Sequence, residues 1–156
     1  MTRRLRSMSA DKQLTCYLVS CVGRKQGRPL PAKDLYASDW FRKARSYVVS
    51  TACPWFILSA EHGLLHPDTV TAPYEKTLNR MAIRERQAWA GAVKAQMDRE
   101  LIGCKKIVVF AGARYREFLM DYLLRSFEQV SVPLEGLPIG MQLAWFAART
   151  GRGAAK

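Results

Sequence analysis

Apolar residues fall alternately into short runs and longer periodic stretches along this chain. Residues 14–21 (LTCYLVSC) form a continuous apolar run rich in strand formers, stopped by Gly23 and a basic loop up to Pro31. That pattern predicts a buried strand. Residues 31–40 read as irregular. Ser38 then stands as the N-cap of a helix over 39–50, with Trp40, Ala44, Tyr47 and Val48 on one face and Lys43 and Arg45 turned to solvent. A second short buried strand covers 55–59 (WFILS), with Pro54 tolerated at its start. Residues 64–78 hold Pro67 and Pro73 and follow neither period, so they read as a long ordered loop. A helix over 83–102 sets Ile83, Ala90, Val93, Met97 and Leu101 at helical spacing, and Gly103 ends it. A third strand (106–111), a helix (115–126), a short strand (130–133) and a last helix (141–149) complete the reading.

Strands that alternate with helices of ten or more residues imply parallel pairing through right-handed crossovers. The predicted fold is therefore α/β, a three-layer sandwich around a mostly parallel central sheet of about four strands. Ligands in such sheets bind beyond the carboxyl ends of the strands. Here those ends are residues 20–25, 59–63, 111–115 and 134–136, expected to meet on one rim. A length of 156 residues fits one core. The expected organisation is a basic N-terminal arm (1–13), a single α/β domain (14–148) and a basic C-terminal tail (149–156).

Charge narrows the partner. The 25 Lys and Arg residues exceed the 13 Asp and Glu by 12. Residues 1–12 and 149–156 hold seven basic residues and one acidic, so about half of the excess lies at the ends. Within the body, Arg24, Lys25, Arg28, Lys33, Arg42, Lys43 and Arg45 face only Asp34 and Asp39 in the same stretch. A surface of that sign suits a polyanion, and nucleic acid, DNA foremost, is the expected partner. No apolar run approaches a spanning helix, and the basic start is followed by polar residues, so no membrane partner is expected and the localisation reads as cytoplasmic, at the nucleoid if DNA is bound. The four cysteines lack a CxxC pair and read as free thiols. With only His62 and His66 beside them, no metal site is expected, and no cofactor motif appears, since GxxxxGK[ST] is absent.

The strand ends carry the candidate chemistry. Arg24 and Lys25 follow the first strand, where cations can meet phosphate. Glu61 and His62 close the second, a carboxylate able to act as a general base beside an imidazole. Asp68 is a reserve water activator or a turn former. In the long loop, Tyr74 can stack on a base, Lys76 can hold phosphate, and Asn79 can read a base edge. Arg114, Tyr115 and Arg116 make a basic cluster around an aromatic after the third strand, where the arginines can contact phosphate, and Arg42 adds a cation on the second element. Glu135 and Gln142 follow the fourth strand, suited to a ribose hydroxyl or an amine.

Several of these segments carry a family resemblance. Leu18-Val19-Ser20-Cys21 with Lys25, Pro31 to Tyr36 leading to Trp40 to Arg45, Leu58 to Leu64 with Pro67, and Pro73 to Leu78 resemble a bacterial and phage domain family without settled function. Phe110 to Tyr115 and Pro133 to Leu137 with Gly140 and Gln142 extend the resemblance over about residues 14–147. The run from Ser59 to Tyr74 is also similar to one in the YaaA peroxide-stress proteins, which are associated with DNA binding and protection against oxidative DNA damage. The resemblance implies a nucleic-acid or nucleobase connection.

Charge and resemblance together predict an enzyme acting on a modified or damaged base in DNA, most concretely an N-glycosylase that flips the base into a rim pocket. Glu61 is the expected carboxylate with Asp68 in reserve, as glycosidic hydrolysis requires. His62 and Asn79 would contact the base, Tyr74 would stack on it, and Lys25, Lys76 and Arg114 would hold phosphates. The alternatives are a nucleic-acid-binding module without catalysis and a nucleotide or nucleoside enzyme with Glu135 on the ribose.

Overall fold

The computed structural model describes residues 14–21 and 23–154, the last four by their backbone alone. Its strands are β1 (Thr15–Ser20), β2 (Leu30–Pro31), β3 (Trp55–Ser59), β4 (Gly63–Leu65), β5 (Val70–Thr71), β6 (Lys106–Phe110) and β7 (Gln129–Ser131). Its helices are α1 (Ala32–Leu35), α2 (Asp39–Ser50), α3 (Ile83–Glu100), α4 (Ala113–Arg116), α5 (Met120–Ser126) and α6 (Ile139–Ala154), with a 3-10 turn at Leu78–Arg80.

The apolar runs become the centre of a five-stranded sheet in the order β4-β3-β1-β6-β7. β1 pairs in parallel with β3 (Val19 opposite Ile57) and with β6 (Val19 opposite Phe110), and β7 joins β6 in parallel. Only β4 runs antiparallel, folded back on β3. The crossover through α2 moves outward from β1 to β3, while the one through α3 returns across β1 to β6. Two right-handed crossovers in opposite directions place their helices on opposite faces. α6 packs along α2, and α5 joins α3, where the Tyr122 hydroxyl donates to Asp98. The result is a mostly parallel sheet between helical layers. On the α2 and α6 side the core is aromatic: Phe110 lies 5.1 Å from Phe146 and Tyr47 5.2 Å from Trp145, ring centre to ring centre.

Local chemistry explains the elements the pattern predicted and those it missed. Ser38 caps α2 by accepting the Phe41 N–H at 3.1 Å, and the helix has the expected bounds. The stretch expected as a long ordered loop holds most of β4 and the ribbon strand β5 paired with β2, and it runs into the 3-10 turn. These pieces are two or three residues long, too short to show a period. β4 follows from Gly63, whose φ of +73° suits glycine, and from Gln96 on α3, whose amide accepts the Leu64 N–H at 2.8 Å and donates to the His62 carbonyl at 3.2 Å. A Cβ at position 63 would lie 2.2 Å from the Gln96 oxygen.

The helix expected over 115–126 is two pieces, α4 and α5, interrupted at 117–119. On α3, Ile83 is 54% exposed, while Arg86 takes the place on the buried face. Arg86 does so because its guanidinium pairs with Glu117 and donates to the Met81 carbonyl at 2.6 Å. α6 continues to Ala154, so the helix runs through residues 149–154, where a tail was expected. The arm at 1–13 lies outside the described residues. The four cysteines are free thiols, and no helix among the described residues is long and apolar enough to cross a membrane.

Candidate functional site

The chain leaves β1 toward β3 on one side and later reaches β6 on the other, so the loops after β1 and β6 turn away from each other. A crevice at such a switch point is where open α/β sheets hold ligands. Here it is a cleft of about 490 Å³. Its walls include Ser20 at the end of β1 and Gly23 after it, Gly112 and Arg116 around α4, Glu135 after β7, and Trp40 of α2. Depth is graded by exposure. Ser20 is 1% exposed, and its hydroxyl has no hydrogen-bond partner. At the mouth, the Glu135 carboxylate is 66% exposed and stands 3.4 Å from Arg116. Gln142 is engaged in the wall: its oxygen accepts the Trp40 indole N–H at 2.8 Å, and its nitrogen donates to the Leu137 carbonyl at 2.8 Å.

A groove of about 690 Å³ adjoins the cleft and shares Gly23 with it. Gly23 has φ +75°, and a Cβ there would stand 2.8 Å from that of Ser38, so the junction needs glycine. The groove gathers Arg24, Lys25, Lys76 and Arg80 against Glu75 alone. Lys25 is held in place by rings. Its amine sits 4.4 Å from the centre of Tyr74 and 5.7 Å from that of Tyr36, a cation-π seat. The rings are fixed in turn, because the Tyr74 hydroxyl lies 2.7 Å from both Ser59 Oγ and the Tyr36 hydroxyl. Ser59 Oγ accepts the N–H groups of Glu61 (3.2 Å) and His62 (3.0 Å). Two acceptors filled leave its proton for Tyr74, and Tyr74 passes its own to Tyr36. Burial pushes the Tyr36 hydroxyl up to about 12 and raises Tyr74 further, with Cys21 and Tyr36 adding to the effect. Both rings stay neutral at working pH.

A third cavity, about 620 Å³, continues from the groove through Lys76 and is lined by Glu61, His62, Glu85 and Trp89. Glu61 and His62 are exposed there. Three cavities thus run in a row along the carboxyl edge of the sheet, which brings the expected rim together.

The predicted site residues distribute unevenly over that row. Arg24, Lys25, Tyr74 and Lys76 share the groove, Glu135 and Gln142 the cleft, and Glu61 and His62 the third cavity. Tyr74 offers a base no open face on the Lys25 side, and His62 stands edge-on at 5.6 Å. Asp68 lies apart, paired with Lys33 at 2.8 Å, and that ammonium holds its carboxyl below the usual range. Asn79 is exposed in the 3-10 turn, its N–H on Thr77 Oγ1 at 3.3 Å. Arg42 faces a shallow depression between α2 and α6. Arg114 stands 3.7 Å from Glu117. Tyr115 is buried, edge-on to Trp89 at 5.6 Å with its hydroxyl 3.6 Å from Cys21 Sγ, so it packs the core and does not reach phosphate.

Sequence reasoning passed over Ser20, Trp40 and Arg80 as site residues, and it placed Arg116 with phosphate, whereas the structure sets it in the cleft wall, on the Ala111 carbonyl and beside Glu135. Ser20 left one signal, a hydroxyl at the carboxyl end of an apolar strand run. Among the described residues no group of three or more His, Cys, Asp or Glu side chains is placed to hold a metal ion.

The arrangement offers cations for phosphates, a weakly charged cleft for a planar group and one carboxylate at its mouth. No curated protein and no solved structure matches the chain. A family model does match, over residues 16–148, and by it the chain belongs to the family of unknown function DUF6884.

Proposed function

We propose that the protein binds nucleic acid, DNA in the first place, along the basic groove and acts on a modified or damaged base received by the adjoining cleft, most concretely as a DNA N-glycosylase. The observation that carries the reading is the shared wall at Gly23: a groove with four cations opens directly beside a cleft whose one cation among the described residues, Arg116, is held by the Ala111 carbonyl and Glu135. A phosphate backbone seeks the first surface and an extruded base the second. The net charge of +12 and the similarity of residues 59–74 to the YaaA proteins support the same direction.

In hydrolysis of the glycosidic bond, a water oxygen bonds to the sugar C1′ as the bond from C1′ to the base nitrogen breaks, and the base leaves with a proton. The positive character that develops on the sugar is stabilised by a nearby carboxylate. Glu135 is the carboxylate at the mouth of the cleft, where a sugar would rest. Glu61 stands beyond the groove in the third cavity, so the first catalytic place passes from Glu61 to Glu135. Lys25, seated on Tyr74, and Lys76 serve phosphates.

The test is incubation of the full chain with end-labelled single-stranded and duplex DNA carrying oxidised, hydroxymethylated, deaminated and alkylated bases, followed by alkali. Cleavage at one modified base, lost in Glu135→Gln, supports the enzyme. A second reading, a nucleic-acid-binding module without catalysis, is favoured by the contact of Glu135 with Arg116, which a purely structural carboxylate would also make. Salt-sensitive retention of DNA without cleavage would select it.

A further inference from the structure

We infer that Ser20 reads the inner edge of the bound base, and that the cleft takes a nucleoside with its base inward and its sugar at the mouth. The choice of a base as ligand rests on the nucleic-acid reading above; the place of the polar contact rests on the cleft itself.

Ser20 ends β1 on the floor of the cleft, and its hydroxyl is buried without a partner. A hydroxyl offers one donor and two acceptor positions, and a buried one left unserved is uncommon in folded proteins. The other polar side chains around the cleft are engaged or lie outward. Trp40 and Gln142 bond each other, Ser38 caps α2, and Arg116 donates to the Ala111 carbonyl at 2.8 Å and stands 3.4 Å from Glu135, which is exposed at the mouth. Beside Ser20 the walls are Val109, Ala111 and Leu134. A ligand that goes to the floor therefore meets apolar surface and the one hydroxyl among the described lining residues that is buried without a partner. That combination suits a planar uncharged heterocycle with a polar edge. The one cation among the described residues of the cleft, Arg116, is already shared between the Ala111 carbonyl and Glu135, whereas the groove beyond Gly23 supplies four cations for a phosphate. A volume of about 490 Å³ also leaves room for a sugar behind the base.

Because the hydroxyl is unserved in the free protein, its removal has opposite consequences for binding and for folding. The experiment titrates the full chain and its Ser20→Ala and Ser20→Thr variants with the four deoxynucleosides and the 5-hydroxymethyl forms of the two pyrimidines, by ligand-observed NMR, and records thermal unfolding of each protein alone. At least one nucleoside binds the wild type, Ser20→Ala weakens it about tenfold, the upper range for one neutral hydrogen bond, and Ser20→Thr, which keeps the hydroxyl, retains the preference. Ser20→Ala alone unfolds at the same or a higher temperature. Equal binding by Ser20→Ala, no binding of any nucleoside to the wild type, or a lowered unfolding temperature in Ser20→Ala would each overturn the inference, the last by showing a hydroxyl used by the fold. The two readings fail separately. Nucleoside binding through Ser20 without retention or cleavage of DNA keeps the inference and removes the DNA reading. DNA cleavage at the wild-type rate by Ser20→Ala, with no nucleoside bound, does the reverse.

Discussion

Two serines end neighbouring parallel strands, and their surroundings are opposite. Ser59, at the end of β3, accepts two backbone N–H groups, shares a 2.7 Å hydrogen bond with Tyr74, and even its carbonyl is taken by the Trp89 indole at 2.8 Å. Ser20, at the end of β1, is as deeply buried and has nothing on its hydroxyl. The first belongs to a cluster that ties the segment of Tyr74 to the sheet and seats Lys25. The second lies on the floor of the switch-point cleft. The pair teaches that burial alone does not separate scaffold from site; the count of satisfied partners does, since an unserved buried group costs the fold and needs another reason to be there.

The comparison breaks most visibly at the mouth of the cleft. Glu135→Gln should lower base-release turnover about 100- to 10,000-fold, the range of a positioned acid-base or charge-stabilising group, with DNA retention almost unchanged. Glu61→Gln should cost less than about tenfold, and single-turnover kinetics on the substrate found by the alkali assay will rank the two. Arg86→Ala tests the served class in its most buried form. Removing the guanidinium leaves Glu117 without its main partner, and urea denaturation should show a loss of about 3 kcal/mol. In the groove, the double variant Lys25→Gln with Lys76→Gln should reduce the slope of log affinity against log salt by about 2 if both amines meet phosphates. Tyr74→Phe sharpens the contrast of the serines directly: it leaves Ser59 and Tyr36 each short of a partner and should destabilise by about 1 to 2 kcal/mol, whereas Ser20→Ala should not destabilise at all. The smallest effect belongs to Asp68. Lys33 depresses its carboxyl in the folded state, so the pair adds stability above the ordinary carboxylate range, and that contribution is lost as pH falls through the depressed value. In Asp68→Asn, acid unfolding should start from a slightly lower stability at neutral pH and converge with the wild type in acid.

Much of the fold was legible because its signals are long or chemically marked. The three central parallel strands β1, β3 and β6 are apolar runs, α2 carries its Ser38 cap, and the buried face of α3 repeats at Ala90, Val93 and Met97. What escaped was decided by contacts far along the chain. β4 exists because Gln96 clamps it from α3, and Arg86 is inside because Glu117, 31 residues on, meets it. The site was legible as a rim and as a set of groove cations. Its partition was not. Glu61 and Glu135 both follow strands and look alike in sequence, and only the order in which the strands lie side by side decides which carboxylate borders the switch point.

That order also has a kinetic meaning. The floor of the cleft joins Ser20 of β1 to Val109 of β6, two strands whose pairing closes a loop of some ninety residues, whereas β1 meets β3 after about forty. Closing distant contacts slows folding, because chain entropy is lost before the pairing gives anything back. An early intermediate holding β1, α2 and β3 would already possess the hydroxyl cluster's Ser59 and lack the cleft altogether. Competence to bind would then appear last, as a property of the finished sheet, and a ligand that recognises the cleft would act on the final docking step by stabilising only its product.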